Sequence, residues 1–412
     1  MSSSSYHETA AASRAASGPS RATLAAMAFA CGGAVANIYY VQPILGVIGG
    51  EFPAAATLVS LLPTANQLGF AIGLLLLVPL GDGMSRRVLI FGGLAWLALS
   101  LAAAALAPGP GTLFAAMVAV GIGATVAQQI VPLAAELAPP ARRGAVVGTV
   151  MSGLLTGILL GRVASGALAA VAGWRAVFGA GVALACVIAL LLHATLPKTA
   201  AKPPLAYRHL LASLFALLVE LPPLRRAALA QAGLFGAFSA FWATLALHLA
   251  APPFAMGSAG AGLFGVVGVA GVLAAPLAGR ISDRRGPRPV IRLGIAGTLG
   301  AWVVFAVFNH LAGLIAGVVL LDLGVQMALI AHQSVIYALR PEARSRINTV
   351  FVTVMFIGGA LGSAGGGLAW RLGGWGAVSG LAIGLCLAAL AVHSGGRQRP
   401  GDPHERRRTY RA

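Results

Sequence analysis

The sequence is poor in most of what a soluble catalyst uses. Only 10 of its 412 residues are Asp or Glu and only 3 are Cys, and its lysines are Lys198 and Lys202. Neither lysine stands in the Gly-Lys-Ser/Thr context that cradles a phosphate, and no polar stretch is long enough for a nucleotide domain, which excludes an ATP-driven pump. Cys31, Cys186 and Cys386 are scattered through apolar runs, so they read as packing residues rather than a disulfide framework or a metal site. His and carboxylates nowhere gather at ligand spacing, so no metal, no cofactor and no enzymatic activity are expected. What fills the chain instead is apolar: 58% of residues are hydrophobic and 9% charged, outside the range of soluble domains.

A helix that crosses a bilayer needs about 20 predominantly apolar residues. Twelve such segments are expected, at 22–48, 57–80, 88–106, 112–137, 144–171, 175–196, 226–251, 258–280, 289–309, 312–339, 346–371 and 375–394. The Ser- and Ala-rich residues 1–21 read as a disordered tail, 395–412 as a basic tail, and the proline-bounded stretch 197–225 as a linker between bundles at 22–196 and 226–394. Within that linker, residues 205–221 are Leu-rich and predict a helix lying along the membrane surface. Of the 28 basic residues, only Arg162, Arg175 and Arg371 avoid the odd-numbered side of this topology. Basic loops face the cytoplasm, so both termini are expected inside a bacterial inner membrane. The same distribution assigns the +18 net charge to anionic lipid headgroups and argues against nucleic acid.

A shift of 201 residues carries Asp82 onto Asp283, Pro140 and Arg143 onto Pro341 and Arg344, and Gly173-Trp174 onto Gly374-Trp375. Gly157, Gly161 and Gly166 fall on Gly358, Gly362 and Gly367 at the same shift. Two six-helix repeats in parallel orientation follow, which places a binding site between them and lets them rock around it.

The residues between the second and third segments of each half then point to a family. Gly279, Arg280, Ile281, Ser282, Asp283, Arg284, Arg285, Gly286, Pro287 and Arg288 resemble the Gly-x-Leu-x-Asp-Arg-x-Gly-Arg-Arg loop of the major facilitator superfamily. The first-half copy, Val78 to Arg87, keeps Leu80, Asp82, Arg86 and Arg87 but lacks the leading Gly and the first Arg. The resemblance implies the twelve-helix fold and a gate in which Asp82, Arg86, Arg87, Asp283, Arg284 and Arg288, with Arg143 and Arg344, latch the cytoplasmic ends by charge-assisted bonds. The bland alternative is topogenic arginine with a counter-ion. In the fifth segment, Gly157, Gly161 and Gly166 resemble part of the glycine pattern of the superfamily's proton-driven exporters, with Arg162 where that pattern has Pro. Gly121, Ile122, Gly123 and Ala124 of the fourth segment fit the same branch, but Met117 stands where those exporters place Arg.

Ionisable groups inside spans are expensive and are candidates for function. Asp322 falls at mid-membrane depth, with Gln326 and Gln333 on its helical face and His332 to its side. Asp322 is the expected proton or cation group, His332 a relay, and the alternative is a structural hydrogen bond. Arg162 could pair with Asp322, snorkel outward or hold backbone carbonyls. Asn37, Tyr40, Ser60, Thr64, Gln67 and either Gln128 or Gln129 complete the candidate cavity. Gln231, Phe235, Phe238 and Trp242 share a helical face that reads more readily as packing or lipid contact, and His193 and His248 are expected at the membrane interface. The expected function is proton-coupled efflux of a small, fairly apolar organic molecule by a monomeric carrier. Uptake of a sugar or amino-acid-like solute, and a non-transporting receptor or scaffold, remain as alternatives.

Overall fold

The computed structural model describes residues 18–197, 207–268, 274–340 and 343–395. Lys198, Lys202 and both chain termini, including Arg406, Arg407 and Arg408, lie outside the described residues. The described chain is helical throughout its spans. Helix α1, Arg21–Ala36, starts where the Ser20 hydroxyl accepts a bond from the Thr23 N–H, an N-cap that satisfies one of the free donors of a first turn. It does not run on to residue 48 as expected. Pro43 lacks an N–H to donate back into the preceding turn, and the chain turns over residues 37–40 before α2, Val41–Glu51. The second span likewise divides around Pro63, into α3, Ala56–Ser60, and α4, Leu62–Leu77.

A short helix, α5, Leu80–Gly83, leads into the third span, α6, Arg86–Ala105. The fourth span is two helices, α7, Pro110–Ala124, and α8, Ala127–Leu137. Spans five and six form one continuous element, α9, Arg143–Thr195, broken by Gly173 at φ 79°. Spans eleven and twelve repeat that device in α16, Arg344–Ser394, where Gly374 has φ 60°. A left-handed backbone of this kind suits glycine because a Cβ would clash. The two glycines are 201 positions apart, so the internal repeat appears in the backbone itself.

Helix α10, Tyr207–Glu220, occupies the expected linker and buries Leu214 and Leu217 against Ile336, Ile347 and Phe351 of the second half. Its Glu220 pairs with Arg340 at 3.0 Å. The seventh span, α11, Pro222–Ala250, begins before the expected residue 226. Pro222 and Pro223 open this helix rather than close the linker, since a first-turn N–H has no intrahelical acceptor to lose. The eighth span is described as α12, Ser258–Val267, and α13, Ala274–Arg285. Spans nine and ten are α14, Pro287–Val307, and α15, Leu311–Tyr337.

The two halves meet at the end opposite the Arg-rich loops. Ser258 donates to the Gly166 carbonyl at 3.0 Å and Arg371 bonds the Thr57 hydroxyl there, while well inside the spans Phe70 lies 4.5 Å from Phe356 between ring centres. Near the Arg-rich end of α9, Gly144 and Gly148 have open space beside them.

Candidate functional site

The first arm of α9 carries Gly153, Gly157 and Gly161 on one stripe. A Cβ on Gly157 would overlap the backbone of Gly32, so these positions need glycine for α9 to cross α1 at van der Waals distance. The exporter-like glycines therefore act locally as a helix crossing. One residue beyond Gly161, this close approach seats Arg162 at the junction of α2, α11 and α12. Arg162 is only 3% exposed. Its Nε donates to Gln42 Oε1 at 2.9 Å. The guanidinium carbon lies 4.4 Å from the Tyr39 ring centre and 3.9 Å from that of Trp242, distances at which a cation is attracted to an aromatic face. Its Nη2 is buried without a hydrogen-bond partner.

Asp322 is the other isolated charge, 6% exposed, with Oδ2 also buried and unpartnered. A Cβ on Gly268 would stand 2.9 Å from that oxygen, so glycine there leaves the carboxylate its room. Each of Arg162 and Asp322 lies within the other's field. Among the described residues no ion pair within 4.0 Å joins them. Arg162 neither snorkels nor holds carbonyls with its free nitrogen. Measured from the Gly173 kink, Arg162 is about 16 Å down α9, and Asp322 is about 16 Å from the start of α15. By this measure the two charges stand at the same depth.

Gln42, Pro43, Trp242, Leu245, Ala246 and Ala261 close around Arg162 in a cleft too tight to admit a water molecule. Gln67 accepts from Ser239 at 3.1 Å across the halves. The aromatic face of α11 turns inward rather than to lipid: Phe235 stacks on Phe238 at 5.4 Å and packs on Phe356 at 5.0 Å.

Other candidates have different company. His332 Nδ1 lies 3.0 Å from Gln231 Oε1, so the structure gives it a neighbour on α11 rather than a link to Asp322. Gln333 approaches Asn348 at 3.5 Å, and Tyr337 donates to the same Asn348 at 2.8 Å. Gln326 and Gln128 are half-buried. Asn37 donates to the Gly33 carbonyl at 2.8 Å, securing the break after α1. Asn66, which the sequence did not single out, donates to the Asn37 carbonyl at 2.9 Å. Tyr40 is buried, and Thr64 Oγ1 is buried and unpartnered. His248, two residues from the end of α11, is buried and stacked on Trp375 with ring centres 4.0 Å apart. Tyr39, Gln42 and Trp242 are the functional candidates that sequence reasoning missed or gave another role. A Gln in an apolar run was the available signal.

Comparison with known proteins places this geometry. The family model of the Major Facilitator Superfamily matches residues 24–260 and, a second time, 227–410. The chain belongs to the major facilitator superfamily. It is 40% identical over 375 residues to the uncharacterized transporter YgaY of Escherichia coli O157:H7, covering 90% of this chain and 93% of that one. It is 36% identical over 357 residues to the probable transporter SCO4007 of Streptomyces coelicolor, covering 84% and 81%. Among solved structures, a bacterial homolog of the human lysosomal transporter Spinster, in an inward-facing and unoccupied conformation, superposes with a TM-score of 0.72 at 16% identity, covering 92% of this chain and 98% of that one. The chain is thus a multi-pass membrane transporter with two six-helix bundles, and not an enzyme.

The loop that resembles the superfamily's gate is built around Arg86. Its Nε reaches Glu136 Oε1 at 2.8 Å, its Nη1 reaches Gln129 Oε1 at 3.0 Å, and Asp82 lies 3.6 Å from Nη2. Gln129 in turn donates to the Leu77 carbonyl at 2.8 Å. Arg87 donates to the Leu196 and Pro197 carbonyls. These bonds tie spans two, three, four and six of this superfamily member to one another within the first half. Arg143 donates to the Ala135 carbonyl at 3.1 Å, and its repeat partner Arg344 donates to the Tyr337 carbonyl at 3.0 Å. Arg284 and Arg288 are exposed. Asp283 lies in α13, and its side chain falls outside the description.

Proposed function

We propose that this superfamily member is a proton-coupled secondary transporter for a small, largely apolar organic molecule, with Asp322 carrying the proton and Arg162 in the substrate site. The observation that carries the reading is a pair of buried, unsatisfied, opposite charges on different halves at mid-depth, where an orphaned polar atom is costly unless a ligand or proton serves it. Rocking the halves about this level exposes the site to each side in turn. The bundles run from 22 to 196 and from 222 to 394, joined by residues 197–221, in a bacterial inner membrane with both termini cytoplasmic, and the monomer is the working unit. In that orientation the contacts between the halves seal the external end. Export is the direction favoured by the likeness of Gly157, Gly161 and Gly166 to the drug:proton antiporter branch. Gln67 and Thr64 line the path beside the aromatic face of α11, while the loop bonds of Arg86, Arg87, Arg143 and Arg344 brace the cytoplasmic end of each half, where the gate opens and closes.

The test is proton movement in proteoliposomes that enclose a pH-sensitive dye and carry a preset pH gradient. A transported compound dissipates the gradient through the protein and not in empty vesicles. A gradient indifferent to every compound that binds the protein contradicts proton coupling.

A further inference from the structure

Resting on the transport reading above, the geometry of the Arg162 site specifies a substrate class. Arg162 is a planar fork of donors, and rings of Tyr39 and Trp242 both lie within cation–π reach of it. Those rings attract the cation but accept no in-plane hydrogen bond. The Nε side is used by the neutral Gln42 amide. What remains is Nη2, buried and without an acceptor. Asp322 lies in the field of this cation without reaching it, so a neutral substrate leaves the Nη2 donor unanswered, and a cationic substrate adds repulsion at short range in a poorly screened interior. A carboxylate answers both, because charge-assisted bonds to a guanidinium are the strongest a side chain offers. The side chains packed around it are otherwise apolar, Pro43, Leu245, Ala246 and Ala261 beside the Trp242 ring, and the closed cleft they form widens to admit a substrate body as the halves rock.

We infer that Arg162 binds the anionic head of the substrate and that the transported molecule is an organic monocarboxylate with a compact apolar or aromatic body. Gln42 positions the guanidinium rather than recognising the substrate. Tyr39 and Trp242 hold the cation in place and wall the apolar body.

The test uses the full-length purified protein and matched probes: acetate, butyrate, hexanoate, benzoate and phenylacetate, each beside its amide, with benzylammonium as the cationic control. Binding to the folded state raises the thermal unfolding midpoint. At least one carboxylate is expected to raise it saturably, with its amide at least ten-fold weaker and benzylammonium silent. Arg162→Gln removes the response and Arg162→Lys keeps part of it. Amides that act as strongly as their acids, carboxylates that never shift the midpoint, or an Arg162→Gln protein that still responds would each overturn the inference. The acid–amide comparison needs no variant, so it stands even where Arg162→Gln fails to fold. Gradient-driven flux of a neutral or cationic compound with no carboxylate response overturns the anion site and leaves the transporter reading intact. Carboxylate binding with no flux of any probe does the reverse.

Discussion

Arg86 and Arg162 are the same residue in equally buried settings, 7% and 3% exposed, yet their surroundings are opposite. Arg86 is answered by two carboxylates and an amide within one half of the molecule. Arg162 has one neutral amide, two ring faces and a spare donor, at the seam between halves. A satisfied buried cation fixes structure, because removing it strands the partners around it. An unsatisfied one is maintained at a cost, and that cost is recovered when a ligand arrives. The contrast separates a clamp from a binding site without any appeal to position in a motif.

The largest expected effect is on the unsatisfied side. Arg162→Gln is expected to weaken binding of the transported compound about 100-fold, the scale of a lost charge-assisted hydrogen bond, while equilibrium binding assays and circular dichroism show a folded protein. Arg86→Gln is the opposite case. It is expected to lower the unfolding midpoint by several degrees, from a loss of about 2 kcal/mol as Glu136 and Gln129 lose their donor, and to leave substrate affinity within about two-fold of the parent. If both variants lost binding equally and neither lost stability, the distinction would collapse. Trp242→Leu, which removes one ring from Arg162, is expected to reduce affinity about five-fold, the scale of one cation–π contact, as measured by calorimetric titration. The smallest effect belongs to His332→Asn, which keeps a polar group beside Gln231 and is expected to change coupled flux less than about two-fold. A large loss there would restore His332 as a relay.

Much of the fold was legible because a lipid solvent forces it. Long apolar runs, basic loops on alternate connections and a 201-residue shift are all local or periodic signals, and Gly173 and Gly374 carry that shift into matching kinks. The helix breaks near Pro43 and Pro63 were written in the sequence too, but hydropathy averages across them. Pro222 and Pro223 were misread because proline closes one element and opens the next with equal ease. For the site, Arg162 and Asp322 stood out as charges in apolar runs, whereas Tyr39 and Trp242 did not. Their role depends on contacts 120 and 80 residues away along the chain, roughly, which no helical period encodes. His332 shows the limit of the helical wheel: it gives the angle to Asp322 on α15 but not that Gln231 of α11 would face the ring. Glu136 escaped notice because an acidic residue at the end of a span is ordinarily solvated, and only the folded loop brings Arg86 to it.

Coupling of solute to proton through the orphan pair at mid-depth is put to the test by Asp322→Asn in proteoliposomes. The variant keeps shape and hydrogen-bonding capacity but cannot release a proton. It is expected to retain counterflow of labelled against unlabelled substrate while losing accumulation driven by a pH gradient. Accumulation at the parental level in a variant that also performs counterflow would contradict the account.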